Sequence, residues 1–383
     1  MKEALRGRFL ILYLLVVVVL TGCWDQQEIE ERTSIVALAL DKSTRDDGLI
    51  RLSAQIPIPK KVAGSGTNSG GAGGKEAVKI ISSTGFTVSG AANNLQKRLN
   101  QELFYGHTRV IAISEDLAKE GIGPILDSLR RVPQIRRLLW PVVVKGEALT
   151  LLQSNPKLEQ IPILYLTDLL HNNAALEIIP DITLGRFYSD MSDSTVGPVM
   201  NIIEAKGDEM VWDGLAVFKL DKMIGQLNPK EVYSFLQIKE EKSGGTVYVP
   251  CHPNQPEKMV VLKPKTIVTK KDFKKAGDHL ALNITIRIEG DVVETQCGIP
   301  LSKQENITNI ERAIANDMKN RAEQLIKRLQ TEMHQDVLAF ATLLRATHPQ
   351  WWDPKTWESQ EFPKLDVNVD YRVHIRRTGM EAM

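Results

Sequence analysis

Leu280-Ala281-Leu282-Asn283-Ile284-Thr285-Ile286-Arg287-Ile288-Glu289 decides the fold class. Apolar side chains fall on every second position, with small, polar or charged residues between them. A strand turns successive side chains to opposite faces, so this pattern is a strand with one buried and one wet face, the habit of antiparallel sheets. Val367, Val369, Tyr371, Val373 and Ile375 alternate with Asn368, Asp370, Arg372 and His374 in the same way. Between the two lies a different period. Ile310, Ile314, Met318, Ala322, Leu325, Leu329, Met333, Val337 and Phe340 step by threes and fours, which predicts one long amphipathic helix with Glu323 and Lys327 paired on its outer side. The helix should bury Leu325 and Leu329 against a sheet carrying Ile284, Ile286, Val369, Tyr371 and Val373. An antiparallel sheet packed on a long helix makes this region α+β.

Upstream, Asp213 to Phe218 and Met223 to Leu227 fit a hairpin turning at Asp221-Lys222. Asn228-Pro229 with Glu231 predicts a helix start: a capping residue, a proline at the first helical position and a capping box. We place the start of a C-terminal α+β domain near Val211, giving 211–383. Residues 151–210, broken by Pro156, Pro162, Pro180 and Pro198, read as a helical connector or small middle domain. Residues 23–150 read as a mixed α/β domain in the order β-β-α-β-α-β. Its strands are Thr33 to Asp41, Leu49 to Ile56, Val110 to Ile113 and Leu138 to Lys145. Ser114 should cap a helix with Glu115 and Asp116 in its first turn. The tract Gly64 to Gly74 holds six glycines among Ser, Ala, Thr and Asn, and reads as a flexible surface loop.

The first thirty residues carry a separate signal. Lys2, Arg6 and Arg8 precede an uncharged run from Phe9 to Leu20. A helix of that length spans roughly 18 Å against a hydrocarbon core of about 30 Å, too short to cross and suited to a signal-peptide core. Leu20-Thr21-Gly22-Cys23 then matches a lipobox. Small Thr21 and Gly22 admit the peptidase, which cuts between Gly22 and Cys23. Residues 1–22 are the signal peptide. The Cys23 thiol takes a diacylglycerol, and its freed amine can take a third acyl chain. Two or more chains give stable anchoring. The mature protein is therefore expected to be a lipoprotein on the outer face of a membrane.

Composition narrows the functions. The whole chain has 48 Lys plus Arg against 47 Asp plus Glu. Loss of residues 1–22 removes three basic residues and one acidic one, leaving a near-neutral body with no electrostatic footprint for nucleic acid. Two cysteines remain, Cys251 and Cys297: an exported pair could form a disulfide, or stand as two free thiols. A search for chemistry finds little. Gly74-Lys75 is followed by Glu76, so no phosphate-binding loop is present. Cys251-His252 lies between Pro250 and Pro253 with no second cluster at ligand spacing, and reads as a bland loop rather than a metal site. His107 and Arg109 read as strand-edge hydrogen-bonding groups. Trp351, Trp352 and Trp357 read as a hydrophobic cap over the sheet rather than a sugar site. Lys263, Lys265, Lys270, Lys271, Lys274 and Lys275, broken by Asp272, read as a solvated hairpin edge; contact with anionic lipid headgroups is the sharper alternative. We expect no catalytic residue, no metal and no cofactor.

Several stretches in order resemble one family. Cys23-Trp24-Asp25 with Glu28-Ile29 is similar to the mature start of the C-subunit lipoproteins of spore germinant receptors, the Ger(x)C family. So are the Ile35 to Asp41 strand, Gln55-Ile56-Pro57, and Gly106-His107 through Ser114 with Ala118 and Gly121-Ile122. Gly214 through Lys219 with Lys222 and Gly225 continue the likeness, as do Gln330, Asp336, Phe340, Pro349, Trp352 and the terminal Ile375 to Gly379. Two features depart from it. Ala341 stands where a glycine commonly follows the phenylalanine, which bears on a helix end, and the Gly64 to Gly74 tract looks inserted. The resemblance implies several α+β domains. It also implies a non-enzymatic subunit acting with two polytopic membrane subunits at the spore inner membrane to start germination when a nutrient appears. It implies no ligand site on this chain; Cys23 is the one functional position carried over. Two other classes compete. A lipoprotein solute receptor of an importer would need two parallel-sheet lobes around a cleft. A cell-wall hydrolase would need a nucleophile or a metal set.

Overall fold

The computed structural model describes residues 32–44, 48–58, 77–252, 255–277 and 279–378, together with Arg6. Gly22, Cys23 and the Gly64 to Gly74 tract lie outside these residues.

The chain opens with β1 (Arg32–Ser34), β2 (Ala37–Lys42), β3 (Ile50–Pro57) and β4 (Val78–Gly85), then α1 (Val88–Gln96), β5 (Glu102–Phe104) and β6 (Val110–Ser114). Next come α2 (Glu115–Glu120), α3 (Gly123–Arg130), β7 (Trp140–Val144), α4 (Ala148–Gln153), α5 (Pro162–Ala175) and α6 (Leu184–Ser192). The series closes on β8 (Val199–Lys206), β9 (Glu209–Lys219) and β10 (Lys222–Leu227). Eight of these strands make one sheet in the order β10-β9-β8-β7-β6-β2-β3-β4, while β1 and β5 pair separately. At its centre β2, β6, β7 and β8 are parallel, and antiparallel strands flank them. Central strands buried on both faces explain the continuous apolar runs. Leu38, Leu40, Ile111, Ile113 and Val143 face one core, with α1, α2, α3 and α6. Ala37, Ala39, Ala112, Val142 and Val144 face the other, with α4 and α5.

Three expectations need correction in this unit. The strand β4 is an addition to the expected order, because Val78-Lys79-Ile80-Ile81-Ser82-Ser83-Thr84 is half exposed and polar along most of its length. The segment 151–210 is no mere connector: α5 packs on the sheet and β8 joins it. The hairpin expected to open the C-terminal domain is present, but β9 pairs with β8, so it completes the large sheet instead. That sheet therefore runs across position 211 to Leu227. A bulge in β9 fits the hairpin to the next element. Gly214 has φ +118°, and a Cβ there would sit 2.0 Å from the Leu227 carbonyl oxygen, so only glycine serves.

The expected caps are in place. The Ser114 hydroxyl accepts from the Leu117 N–H at 3.4 Å. Asn228 starts α7 (Pro229–Phe235) with both bonds of its capping box.

The second sheet has four strands in the order β11 (Val247–His252), β12 (Gln255–Ala276), β13 (His279–Thr295) and β14 (Asp366–Arg377). β12 pairs antiparallel with both β11 and β13. β13 and β14, however, are parallel, with Ile284 beside Val369 and Ile286 beside Tyr371. Alternation reports a wet face, not the direction of the neighbour. The long helix α8 (Gln304–Arg328) supplies the crossover that parallel strands require. Leu325 and Leu329 are fully buried, in one core with Ile284, Ile286, Val369 and Tyr371. The helix is shorter than its period suggested. It ends at Arg328, continues as a π-helical turn over 329–333, and breaks at His334, whose φ is +48°. Val337 lies in the turn after that break, and Phe340 opens the next helix, α9 (Phe340–Thr347). A second π-helical turn at 357–361 then leads into α10 (Phe362–Lys364). Cys251 and Cys297 are joined as a disulfide, with Cα atoms 5.4 Å apart. Cys251-His252 is thus the end of an edge strand rather than a loop.

Candidate functional site: a buried junction between the two sheets

Residues just after the long helix meet the edge of the large sheet. Asp336 is 1 % exposed. Its carboxylate accepts from the N–H groups of Phe340 at 3.1 Å and Ala341 at 2.8 Å, and from the Trp357 indole at 3.2 Å. Asp336 therefore caps α9 from four residues upstream, with Ala339 held left-handed at φ +59° to close the loop. Ala341 is helical and buried there, so the position makes no demand for glycine. The Asp336 carbonyl accepts from the Gly197 N–H at 2.7 Å, which ties this turn to the loop entering β8. Around it, Gln335 donates to Glu358, and Glu358 faces Lys219 of β9 at 3.8 Å. Thr195 and Thr342 share a hydroxyl bond of 2.8 Å, and Arg345 meets Asp193 at 3.4 Å.

A third π-helical turn, 236–240 after α7, closes the junction from below. Gln237 is 1 % exposed: its carbonyl accepts from Thr269 Oγ1 of β12 and its side-chain oxygen from the Tyr371 hydroxyl of β14, each at 2.8 Å. Lys239 reaches the opposite way. Its Nζ lies 3.8 Å from Asp190 of α6 and 5.3 Å from the Phe235 ring centroid, with no hydrogen-bond partner among the described residues. Glu240 meets Arg186 at 2.5 Å and Lys242 at 2.9 Å. Single π-helical turns concentrate at functional positions, and two of the three among the described residues end at a left-handed residue, Glu241 or His334.

Burial sets the electrostatics. It pushes the Asp336 carboxyl up to about 6 against the pull of its three donors. It lowers the Lys239 ammonium, partly opposed by Asp190. Burial also raises Glu240, but Arg186 and Lys242 outweigh it and hold that carboxyl low. What the set can do is fix the relative position of two sheets through groups that are costly to separate once buried.

The remaining residues singled out from the sequence fall outside this junction or cap it. His107 Nδ1 lies 3.1 Å from Ser34 Oγ, and the Arg109 N–H donates to the Val36 carbonyl, a strand-edge pairing as expected. Trp357 is buried beside Phe362, and Trp351 and Trp352 are half-buried; they cap the junction rather than the open sheet. A cleft of about 520 Å³ beside the disulfide is lined by Asn309, Asn316 and Asn320 of α8. Its neighbour, about 630 Å³, shares Pro250 and Asp317. Among the described residues, no His, Cys, Asp and Glu form a metal-holding group, and no helix is long and apolar enough to cross a membrane. In the sequence the Asp336 cap shows only as an aspartate ahead of the apolar Val337-Leu338-Ala339-Phe340. Lys239 sits in Lys-Glu-Glu-Lys, which reads as a solvated face, so nothing marked it.

Two unlike sheets locked through a buried junction define a multidomain α+β protein built around an internal joint. Family models extend this. The spore germination protein N-terminal domain matches residues 25–205, and the spore germination B3/GerAC-like C-terminal domain matches residues 213–379. The chain belongs to this family, the C-subunits of spore germinant receptors. It is 28 % identical to spore germination protein YndF of Bacillus subtilis (strain 168) over 99 % of each chain. It is 25 % identical to spore germination protein KC of the same organism, over 97 % of this chain and 95 % of that one. The crystal structure of the GerBC protein shares the fold, with TM-score 0.60 at 18 % identity, covering 88 % of this chain and 96 % of that one.

Proposed function

We propose that this chain is the lipid-anchored, non-enzymatic subunit of a spore nutrient-germinant receptor, held at the spore inner membrane beside two polytopic membrane subunits. The observation that carries the reading is the match of both family domains, in order, behind a lipobox at Leu20-Thr21-Gly22-Cys23. Lipid on Cys23 keeps the body within reach of membrane partners, which raises their effective concentration without a new contact. The buried junction holds the two sheets in one geometry, so that both can be presented to a partner at once. The competing importer receptor is disfavoured: it needs two parallel-sheet lobes around a cleft, whereas an eight-stranded and a four-stranded sheet differ here in size and topology.

The test is affinity purification of tagged protein from detergent-solubilised spore membranes. Polytopic receptor subunits are expected in the eluate; an importer complex, or no membrane partner in several mild detergents, would count against the reading. Cys23→Ala should abolish lipidation and impair nutrient-triggered germination. Mass spectrometry of the wild-type N-terminus must show acylated Cys23, and an unmodified cysteine ends the anchor part of the proposal.

A further inference from the structure

The outer edge of β12 runs well beyond β11, while β14 lines β13 from Ala281 to Asp291 on the other side. Pairing with β11 stops at Leu262, opposite Val247, while β12 continues to Ala276. From Lys263 onward β12 therefore has an open edge among the described residues. This free length carries six lysines and one acid, Asp272. Lys263, Lys265, Lys270, Lys274 and Lys275 are exposed and Lys271 is half-buried. None of the six has a carboxylate within ion-pair distance among the described residues, whereas Lys42, Lys119, Lys145, Lys157 and Lys206 elsewhere each have one.

β13 carries no acid near the tip, and the acids of β14, Asp366 and Asp370, stand one strand further, beside Ala281 and Thr285. Lys270, Asp272 and Lys274 stand opposite Thr285, Asn283 and Ala281. The acids of β13, Glu289 and Asp291, lie at the base, opposite Thr266 and Lys263. Exposed Arg287 adds a further cation beside Val268, which is 41 % exposed. From Lys265 to Lys275 the strip is about 33 Å long. A solvated edge needs one or two lysines to discourage strand pairing. Six lysines against Asp272 on one strand of a near-neutral protein give this edge a net positive charge, with a cation count of the size that holds polybasic segments to anionic bilayers.

We propose that this basic arm lies against anionic phospholipid headgroups and orients the body on the membrane. The inference rests on the reading that the chain works at a bilayer, so its test is run without the anchor and the two can fail separately. The mature chain from residue 23, carrying Cys23→Ala, is titrated with phosphatidylcholine vesicles, with and without one-third phosphatidylglycerol. Binding should require the anionic lipid and weaken as salt rises. Lys270→Gln, Lys274→Gln and Lys275→Gln together should weaken it on the order of a hundredfold, about fivefold per lysine. The same change at Lys79, Lys97 and Lys222 should leave binding intact. Circular dichroism melts of both triple variants confirm that each is folded. Equal binding to neutral vesicles, no binding to either, or an equal loss in both triple variants would overturn the arm as a lipid-binding surface. None of these outcomes bears on which proteins co-purify from spore membranes.

Discussion

Asp336 shows what a single side chain decides here. Its carboxyl is raised from 3.8 to about 6 in the folded chain, first by burial. Between those values the folded state keeps a proton that the unfolded state has lost. This group's contribution to stability is therefore greatest below about pH 4, falls as pH rises to about 6, and is flat above, a difference of roughly 3 kcal/mol across the window. Asp336→Asn cannot ionise and keeps one acceptor oxygen for the α9 N-terminus. Thermal unfolding at pH 4, 5, 6 and 7 should show a smaller decline with pH in the variant than in the wild type. Parallel curves would assign the decline to other raised carboxyls, such as Asp41, Asp317 or Glu358. Local chemistry of this kind is only partly readable from sequence. Ser114 and Asn228 cap within three residues and advertise themselves by spacing. The Trp357 indole reaches Asp336 from 21 positions away, and the Lys239 environment is assembled from α6 and a distant turn.

At the scale of elements, period is legible and partnership is not. The apolar stripe of α8 and the alternating faces of β13 and β14 agree with the sequence pattern, because burial imposes them on each segment separately. Whether two strands run parallel is set by what joins them, and a wet face does not record it. The period carries the helix through to Phe340 because Val337 and Phe340 keep its spacing after His334 has ended it. Leu329 tests the packing. It lies on the π-helical turn, wholly buried. Leu329→Ala should cost ~2–5 kcal/mol, the range for truncating a buried leucine. Urea unfolding measures it, and a loss under about half a kcal/mol, typical of surface positions, would remove Leu329 from the core.

On the scale of the molecule, the two family segments meet between residues 205 and 213, inside the β8–β9 hairpin rather than between the sheets. One continuous core then runs from Leu38 and Phe218 through Phe235 to Ile284 and Leu329. A chain ending at Lys206 would lose β9 and β10, uncovering Val199, Met200 and Ile202 and removing Phe218 from its edge contact with Phe187. It should be recovered aggregated. A soluble, folded monomer by size-exclusion chromatography and circular dichroism would show that the segments fold apart. The boundary near 211 rests on the change from a proline-broken helical stretch to a hairpin pattern; the sheet ignores it because hydrogen-bonded edges, not sequence segments, decide where a strand belongs.

The parallel pairing of β13 with β14 also imposes an order in time. β13 ends at Thr295 and β14 begins at Asp366, so some seventy residues must emerge before the sheet can close. A chain made from its N-terminus passes through an interval in which β13 presents an unfilled edge and α8 has only part of its bed. During that interval the growing polypeptide is a substrate for holding factors and proteases, and a vulnerable one, since open edges and uncovered apolar stripes are what both recognise. The twelve residues of β14 then act as a latch: their arrival ends the exposure of everything made in the preceding stretch.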